Sequence, residues 1–183
     1  MKYATINPFN NETIREFAIQ GFPDVNVSIK AFNQWRKLSV EERGAQLQKV
    51  AALIEKRKVE YAALITLEMG KPIGEAEYEM NKVLTAFNYY ITHAPKFLKD
   101  EPVQTNASKS YIRFDPLGII ISVMPWNFPF WQVFRFGVPS LMAGNVTILK
   151  HAPSVPQCAA AIENLFHEAG LPDGVFKNYY LGH

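Results

Sequence analysis

A chain of 183 residues with 48% apolar and 20% charged side chains has the balance of a soluble globular protein, with enough apolar material for one good core. Its 19 basic and 17 acidic residues leave a formal net charge of +2 and form no basic block, which argues against nucleic acid or a membrane as partner. The longest apolar stretch, around Gly118–Val123, is too short to span a bilayer, Met1–Asn10 is polar with no signal-peptide core, and a lone Cys158 excludes an internal disulfide and suits a reducing, cytoplasmic setting.

No repeat or low-complexity tract interrupts the chain. Thr5–Thr13 reads as an extended strand broken by the turn chemistry of Asn7-Pro8 and Asn10-Asn11. From about Val25 the spacing becomes helical, with Val27, Ala31 and Trp35 (or Phe32) on one side. Ser39-Val40-Glu41-Glu42 is a capping box, and Leu47, Val50, Ala51 and Ile54 follow at the spacing of a core-facing helix. That helix continues through Tyr61–Met69 and stops at Gly70; Pro72 suits the first turn of another that runs to about His93. Glu41, Glu42, Glu75, Glu77 and Glu79 fall on helix surfaces and read as solvated charges.

The second half changes period. Ser110–Asp115 reads as a strand ended by Pro116 and Gly118. Ile119–Val123 is a β-branched run whose continuous apolarity suits a strand covered on both faces. Pro129 to Met142 is long enough for a crossover helix, kinked by Gly137 and Pro139, and Gly144–Leu149 is a second strand. Ser154-Val155-Pro156-Gln157 reads as another capping box, opening a helix with Val155, Cys158, Ala159, Ile162, Leu165, Phe166 and Ala169 on one stripe and a stop at Gly170. Val175–Leu181 completes a strand, helix, strand, helix, strand order, which is half of a doubly wound parallel sheet. The expected fold is therefore α/β: N-terminal helices packed on half of a Rossmann-like parallel sheet, with an open edge and apolar faces that favour self-association.

In such sheets ligands sit beyond the carboxyl ends of the strands. Asn127 follows the first parallel strand and Lys150 ends the second. Pro125 and Pro129 bracket Asn127 and restrict its backbone, so its amide is either aimed outward, as a developing oxyanion requires, or satisfies its own turn. Lys150 is read either as a ligand contact or as a solvated strand-end lysine. Cys158, on an apolar helix stripe, behaves as a small core residue with a raised pKa, the wrong direction for a nucleophile. His93, His151, His167 and His183 show no metal-ligand spacing, so no metal is expected, and no G-x-G-x-x-G or Walker-type loop is present.

Pro125-Trp126-Asn127-Phe128-Pro129 followed by Gly144-Asn145-Val146-Thr147-Ile148-Leu149-Lys150 is similar to the paired signature of the aldehyde dehydrogenase superfamily. Glu68-Met69-Gly70-Lys71-Pro72 and Glu168-Ala169-Gly170-Leu171-Pro172-Asp173-Gly174-Val175 resemble two further motifs of that family, in register. The resemblance implies a partial NAD(P)-binding domain over residues 1–183, with the catalytic domain absent. It implies that Asn127 contributes to the oxyanion hole and that Met124, Pro125 and Trp126 line the nicotinamide ribose. Lys150 would hydrogen-bond the adenine-side ribose. Pro153 stands where many NAD-selective members carry a glutamate, so NADP is expected to be accepted alongside NAD.

Substrate class rests on Arg135, eight residues after Asn127 among Phe128, Phe130, Trp131, Phe134 and Phe136. An arginine at this offset, the surrounding string and Lys150-His151-Ala152-Pro153 resemble a bacterial succinate-semialdehyde dehydrogenase, in which it would bind the distal carboxylate, with Phe128 beside it. The alternative for Arg135 is a structural salt bridge, and for the aromatics simple helix packing. The resemblance also places Val103–Arg113, within a 103–115 segment, in an oligomerisation arm, and implies a homo-oligomer. The family's nucleophilic cysteine and catalytic glutamate have no counterpart here, so this segment is not expected to oxidise an aldehyde by itself. A stand-alone, non-catalytic binding or assembly module is the rival expectation.

Overall fold

The computed structural model describes residues 3–21 and 23–182; Met1, Lys2, Phe22 and His183 lie outside the described residues, so the readings of His183 and of the first two residues are left there. Strands β1 (Tyr3–Ile6) and β2 (Thr13–Phe17) pair as an antiparallel hairpin. Its turn has the anticipated chemistry: Phe9 N–H donates to Asn7 Oδ1 and Glu12 N–H to Asn10 Oδ1, both at 3.0 Å, while Asn11 takes a left-handed φ of 59°.

Three helices follow. Asp24 caps α1 (Val25–Trp35), whose Ala31 and Trp35 are buried. Ser39 and Glu42 form both halves of the expected capping box at the start of α2 (Val40–Met69), and Gly70 ends it in the left-handed conformation at φ 71°. The two helical stretches read from the sequence form this one element, whose backbone leaves helical geometry once, at Arg57. Pro72 precedes α3 (Ile73–Phe97) as its N-cap rather than sitting in its first turn. The expected strand at 110–115 shrinks to β4 (Tyr111–Ile112), which pairs with β3 (Glu101–Pro102) as a short ribbon with both strands exposed.

Strands β5 (Ile119–Met124), β6 (Val146–His151) and β7 (Phe176–Asn178) form one parallel sheet in that order, joined by α4 (Trp131–Met142) and α5 (Pro156–Glu168). The α4 helix runs through Gly137 and Pro139 without interruption. The third strand is shorter than the sequence suggests; beyond it Leu181 lies in an isolated parallel bridge with Gln20. Val146 to Leu149 are all buried, so β6 is covered on both faces. The α2–α3 hairpin packs on α4 and α5 as an outer layer. Phe130 and Phe134 lie in the resulting core against Tyr61 and Phe87, with ring centroids 5.3 and 5.2 Å apart, and Phe134 also meets Phe166. These two aromatics are therefore helix packing.

One expectation about β5 is corrected. Ile121 and Val123 are 64% and 70% exposed, so the strand is not covered on both faces. It is an edge strand, and among the described residues no layer lies over the face that carries these two side chains. The exposed apolar edge foreseen from a three-stranded sheet is thus present.

Candidate functional site at the strand ends

The parallel register sets Val123 beside Lys150 and Met124 beside His151, so β5 and β6 finish at the same edge of the sheet. Pro125–Pro129 turns there and leads into α4. Met124 is half-buried, Pro125, Trp126 and Asn127 are exposed, and Lys150 and Pro153 on the adjacent chain are half-buried. The Asn127 side chain accepts and donates no hydrogen bond among the described residues, so it does not close its own turn. Phe128 stands 38% exposed with Lys71 Nζ 3.8 Å from its ring centroid, a cation–π contact. Arg135 lies on the exposed face of α4 and forms no ion pair among the described residues.

The turn is exposed where it faces solvent and tied down beneath. Pro129 is buried, and its carbonyl meets His151 Nε2 at 2.9 Å. Ala152 N–H donates to His151 Nδ1 at 2.8 Å, so Nδ1 is the acceptor and Nε2 carries the hydrogen that Pro129 receives. His151 is 1% exposed, and burial, opposed by its backbone hydrogen bonds, pushes its pKa down to about 4. The ring is neutral at physiological pH.

Neither crossover helix is capped by its own sequence. At α4 the N-cap is Phe130, and Glu79 Oε1 from α3 accepts Phe130 N–H at 2.9 Å and Trp131 N–H at 3.0 Å, while Glu79 Oε2 pairs with Lys71. At α5 the N-cap is Val155, and the Ser154 capping box read from the sequence does not form. Glu68, at the end of α2, accepts Gln157 N–H at 2.9 Å, Cys158 N–H at 2.8 Å and the Thr5 hydroxyl at 2.5 Å. A long-range carboxylate supersedes Ser154 because it reaches two amides at once with a full charge at the positive end of the helix. Glu79 is correspondingly 1% exposed, which corrects its reading as a solvated charge; Glu41, Glu42, Glu75 and Glu77 are exposed as expected.

These carboxylates have a chemical consequence. In a doubly wound fold the helix N-termini above the strand ends are natural phosphate sites. Here both already hold an anion, so a cofactor pyrophosphate would meet repulsion at either one. At the same edge lie the half-buried Lys150 and Pro153 and the exposed Pro125 and Trp126. A cleft of about 740 Å³ lined by Asn7, Pro8, Phe9 and Met69 among others contains none of the candidate catalytic, cofactor-binding or substrate-binding residues. Burial pushes the Cys158 thiol well up, and the Glu68 carboxylate adds to it, as its place on the apolar stripe of α5 suggested.

Sequence reasoning missed Glu68, Lys71, Glu79 and His151 as parts of this site. A signal existed for α4: a helix opening at Phe130 has orphan amides and no local capping side chain, which demands a partner from elsewhere in the chain.

Comparison with known proteins gives a consistent result. The family model described as the aldehyde dehydrogenase family matches residues 1–180. A probable NADP(+) succinate-semialdehyde dehydrogenase of Synechocystis is 48% identical over 186 residues, covering 100% of this chain and 41% of that protein. Succinate-semialdehyde dehydrogenase [NADP(+)] 1 of Mycobacterium tuberculosis is 42% identical, over 97% of this chain and 40% of its own length. Succinic semialdehyde dehydrogenase from Streptococcus pyogenes, solved with NADP+, superposes with a TM-score of 0.92 at 33% identity, covering 99% of this chain and 41% of that one. The chain thus spans about 40% of the length of the relatives it matches.

Proposed function

The chain belongs to the aldehyde dehydrogenase family, and on that premise we propose that it forms the N-terminal, cofactor-facing part of an NAD(P)-dependent enzyme oxidising succinate semialdehyde to the acid. The observation that carries this reading is the Asn127 turn: an exposed amide with no hydrogen-bond partner among the described residues, following β5 at the sheet edge where Lys150 and His151 end β6.

In this role the Asn127 side-chain N–H donates to the aldehyde oxygen as negative charge develops there during attack by a thiolate. Lys150 donates to a ribose hydroxyl or a 2′-phosphate, and Pro153 presents no carboxylate to repel that phosphate. Met124, Pro125 and Trp126 form the wall beside the nicotinamide ribose. Arg135, exposed on α4 and without an ion pair among the described residues, receives the distal carboxylate of the substrate, with Phe128 as an apolar neighbour. NAD(P), when bound, supplies the hydride acceptor. The attacking thiolate comes from outside these residues, because Cys158 is fully buried with a raised pKa; the segment by itself does not turn over substrate. The β3–β4 ribbon is available as an assembly arm, and the exposed Ile121 and Val123 favour self-association of the isolated chain.

The test is kinetic, in the dehydrogenase that carries this segment. Replacing Asn127 with Ala lowers kcat by about 100- to 1,000-fold, the range for loss of one oxyanion donor. Arg135→Ala raises KM for succinate semialdehyde and leaves KM for an uncharged aldehyde of similar length unchanged. An unchanged kcat in the first variant, or an equal rise in both KM values in the second, overturns the corresponding assignment. Binding of both NADP and NAD is expected, with Lys150→Ala weakening NADP more; equal weakening of the two removes the 2′-phosphate contact.

A further inference from the structure

The three residues after Asn127 are each held from below. Lys71 lies over the Phe128 ring, His151 donates to the Pro129 carbonyl, and Glu79 accepts the Phe130 amide and then that of Trp131. The holding groups come from three places, the start of α3, the residues just before it and the end of β6, and are 1% to 8% exposed. Lys71 and Glu79 also pair with each other, so two of the three contacts form one buried network.

Helix capping alone does not account for this arrangement. A serine or aspartate at position 130 would cap α4 without a buried charge pair. Burying Lys71 and Glu79 carries a desolvation penalty that a well-packed apolar pair would avoid. What the network adds is attachment: the helix start is tied to α3, and Lys71, held by Glu79, is kept against Phe128. His151 supplies an independent tie to β6, with its donor nitrogen set by Ala152. Among the described residues the Asn127 amide has no hydrogen bond of its own to orient it. Its direction is therefore inherited from the chain on either side, Pro125 before it and this fastened segment after it.

We propose that Glu79 and His151 are positioning residues for Asn127, fastening Pro129 and Phe130 so that the amide points where an oxyanion forms. The inference rests on the reading of Asn127 given above. Displacement of a catalytic group by about 1 Å is enough to lose on the order of 100-fold in rate, so loss of either tie is expected to act on kcat without touching the bound molecules.

The experiment uses the full dehydrogenase carrying this segment, with kcat normalised to titrated active-site thiol so that unfolded protein does not count. The variants are Glu79→Leu, Glu79→Gln, His151→Leu and His151→Gln, each alone and with Asn127→Ala. Either leucine variant should lower kcat by about 10- to 100-fold, with KM for NADP and for the aldehyde within about threefold of the unmodified enzyme. The glutamine variants, which keep an acceptor for the amides or a donor for the Pro129 carbonyl, should recover most of that loss. In the Asn127→Ala background the leucine substitutions should cause little further loss, because what they misplace is already gone. Full additivity there, or leucine variants with unchanged kcat, overturns the proposal while leaving Asn127 in its role. An Asn127→Ala enzyme with unchanged kcat overturns the oxyanion reading and this inference together. Should Glu79→Leu fail to fold, the His151 pair decides the matter by the same criteria.

Discussion

Replacement of Glu68 separates a helix capped by its own sequence from one capped across the fold. Its carboxylate is 4% exposed and accepts the amides of Gln157 and Cys158 and the hydroxyl of Thr5. Substituting Leu leaves one buried and one part-buried N–H donor without a charged acceptor. A buried donor left unsatisfied costs about 1–3 kcal/mol, so the gross loss is about 2–6 kcal/mol. Burial raises the Glu68 pKa against the pull of its hydrogen bonds, a sign that desolvation takes back part of what those bonds contribute. A net loss of about 3 kcal/mol is expected for Glu68→Leu, and about half that for Glu68→Gln, which keeps one acceptor oxygen. Ser154 is exposed and makes no capping bond, so Ser154→Ala should change stability by less than about 0.5 kcal/mol. Equilibrium urea unfolding of the chain, followed by far-ultraviolet circular dichroism, measures all three from the shift in midpoint at constant slope. The reverse order would refute the reasoning: about 1 kcal/mol lost on Ser154→Ala, the usual value of a local cap, with Glu68→Leu near zero.

Three further outcomes are expected. The His151 pKa falls from 6.5 to about 4 on folding, so between those values the unfolded chain binds a proton that the folded one does not, and acidification costs stability. The full difference is about 3 kcal/mol, lost as pH drops from about 6.5 to about 4 and read as the pH-dependent gap between the parent chain and His151→Gln, since Glu68, with its raised pKa, titrates in the opposite sense in both. A gap that does not change across that window contradicts a buried neutral histidine. Gly174→Ala should destabilise by about 2 kcal/mol or more, because φ is 91° and a Cβ would lie 2.6 Å from the Val27 carbonyl oxygen; an unchanged urea midpoint would mean that α1 does not press on this turn. Cys158, 0% exposed with a raised thiol pKa, should react with iodoacetamide at least about 100-fold more slowly in buffer than in denaturing urea, and rapid native labelling would exclude its place in the core.

Local information accounts for much of what could be read in advance. The Ser39–Glu42 capping box, the Gly70 stop, the Asn7–Glu12 turn and the buried stripe of α5 depend on residues within a few positions of one another, and all are present. The Pro125–Pro129 turn and the two strands flanking α4 were legible for the same reason, and with them the placement of Asn127 and Lys150 at one edge of the sheet. The covered face assigned to β5 failed because an apolar run specifies that a strand can be buried and leaves open what lies over it.

The sequence by itself determined the alternation of strands and helices, the parallel sheet that alternation requires, and the residue types displayed at its carboxyl edge. Only the tertiary structure decided which groups hold that edge in place. Glu79 lies 51 residues from Phe130, Glu68 lies 90 from Cys158, and His151 lies 22 from Pro129. No periodicity connects such positions. Each pairing exists because chain folding brings an orphan amide or carbonyl next to a buried group able to satisfy it, and the free energy of an unmet hydrogen bond in a dry core makes that partner obligatory.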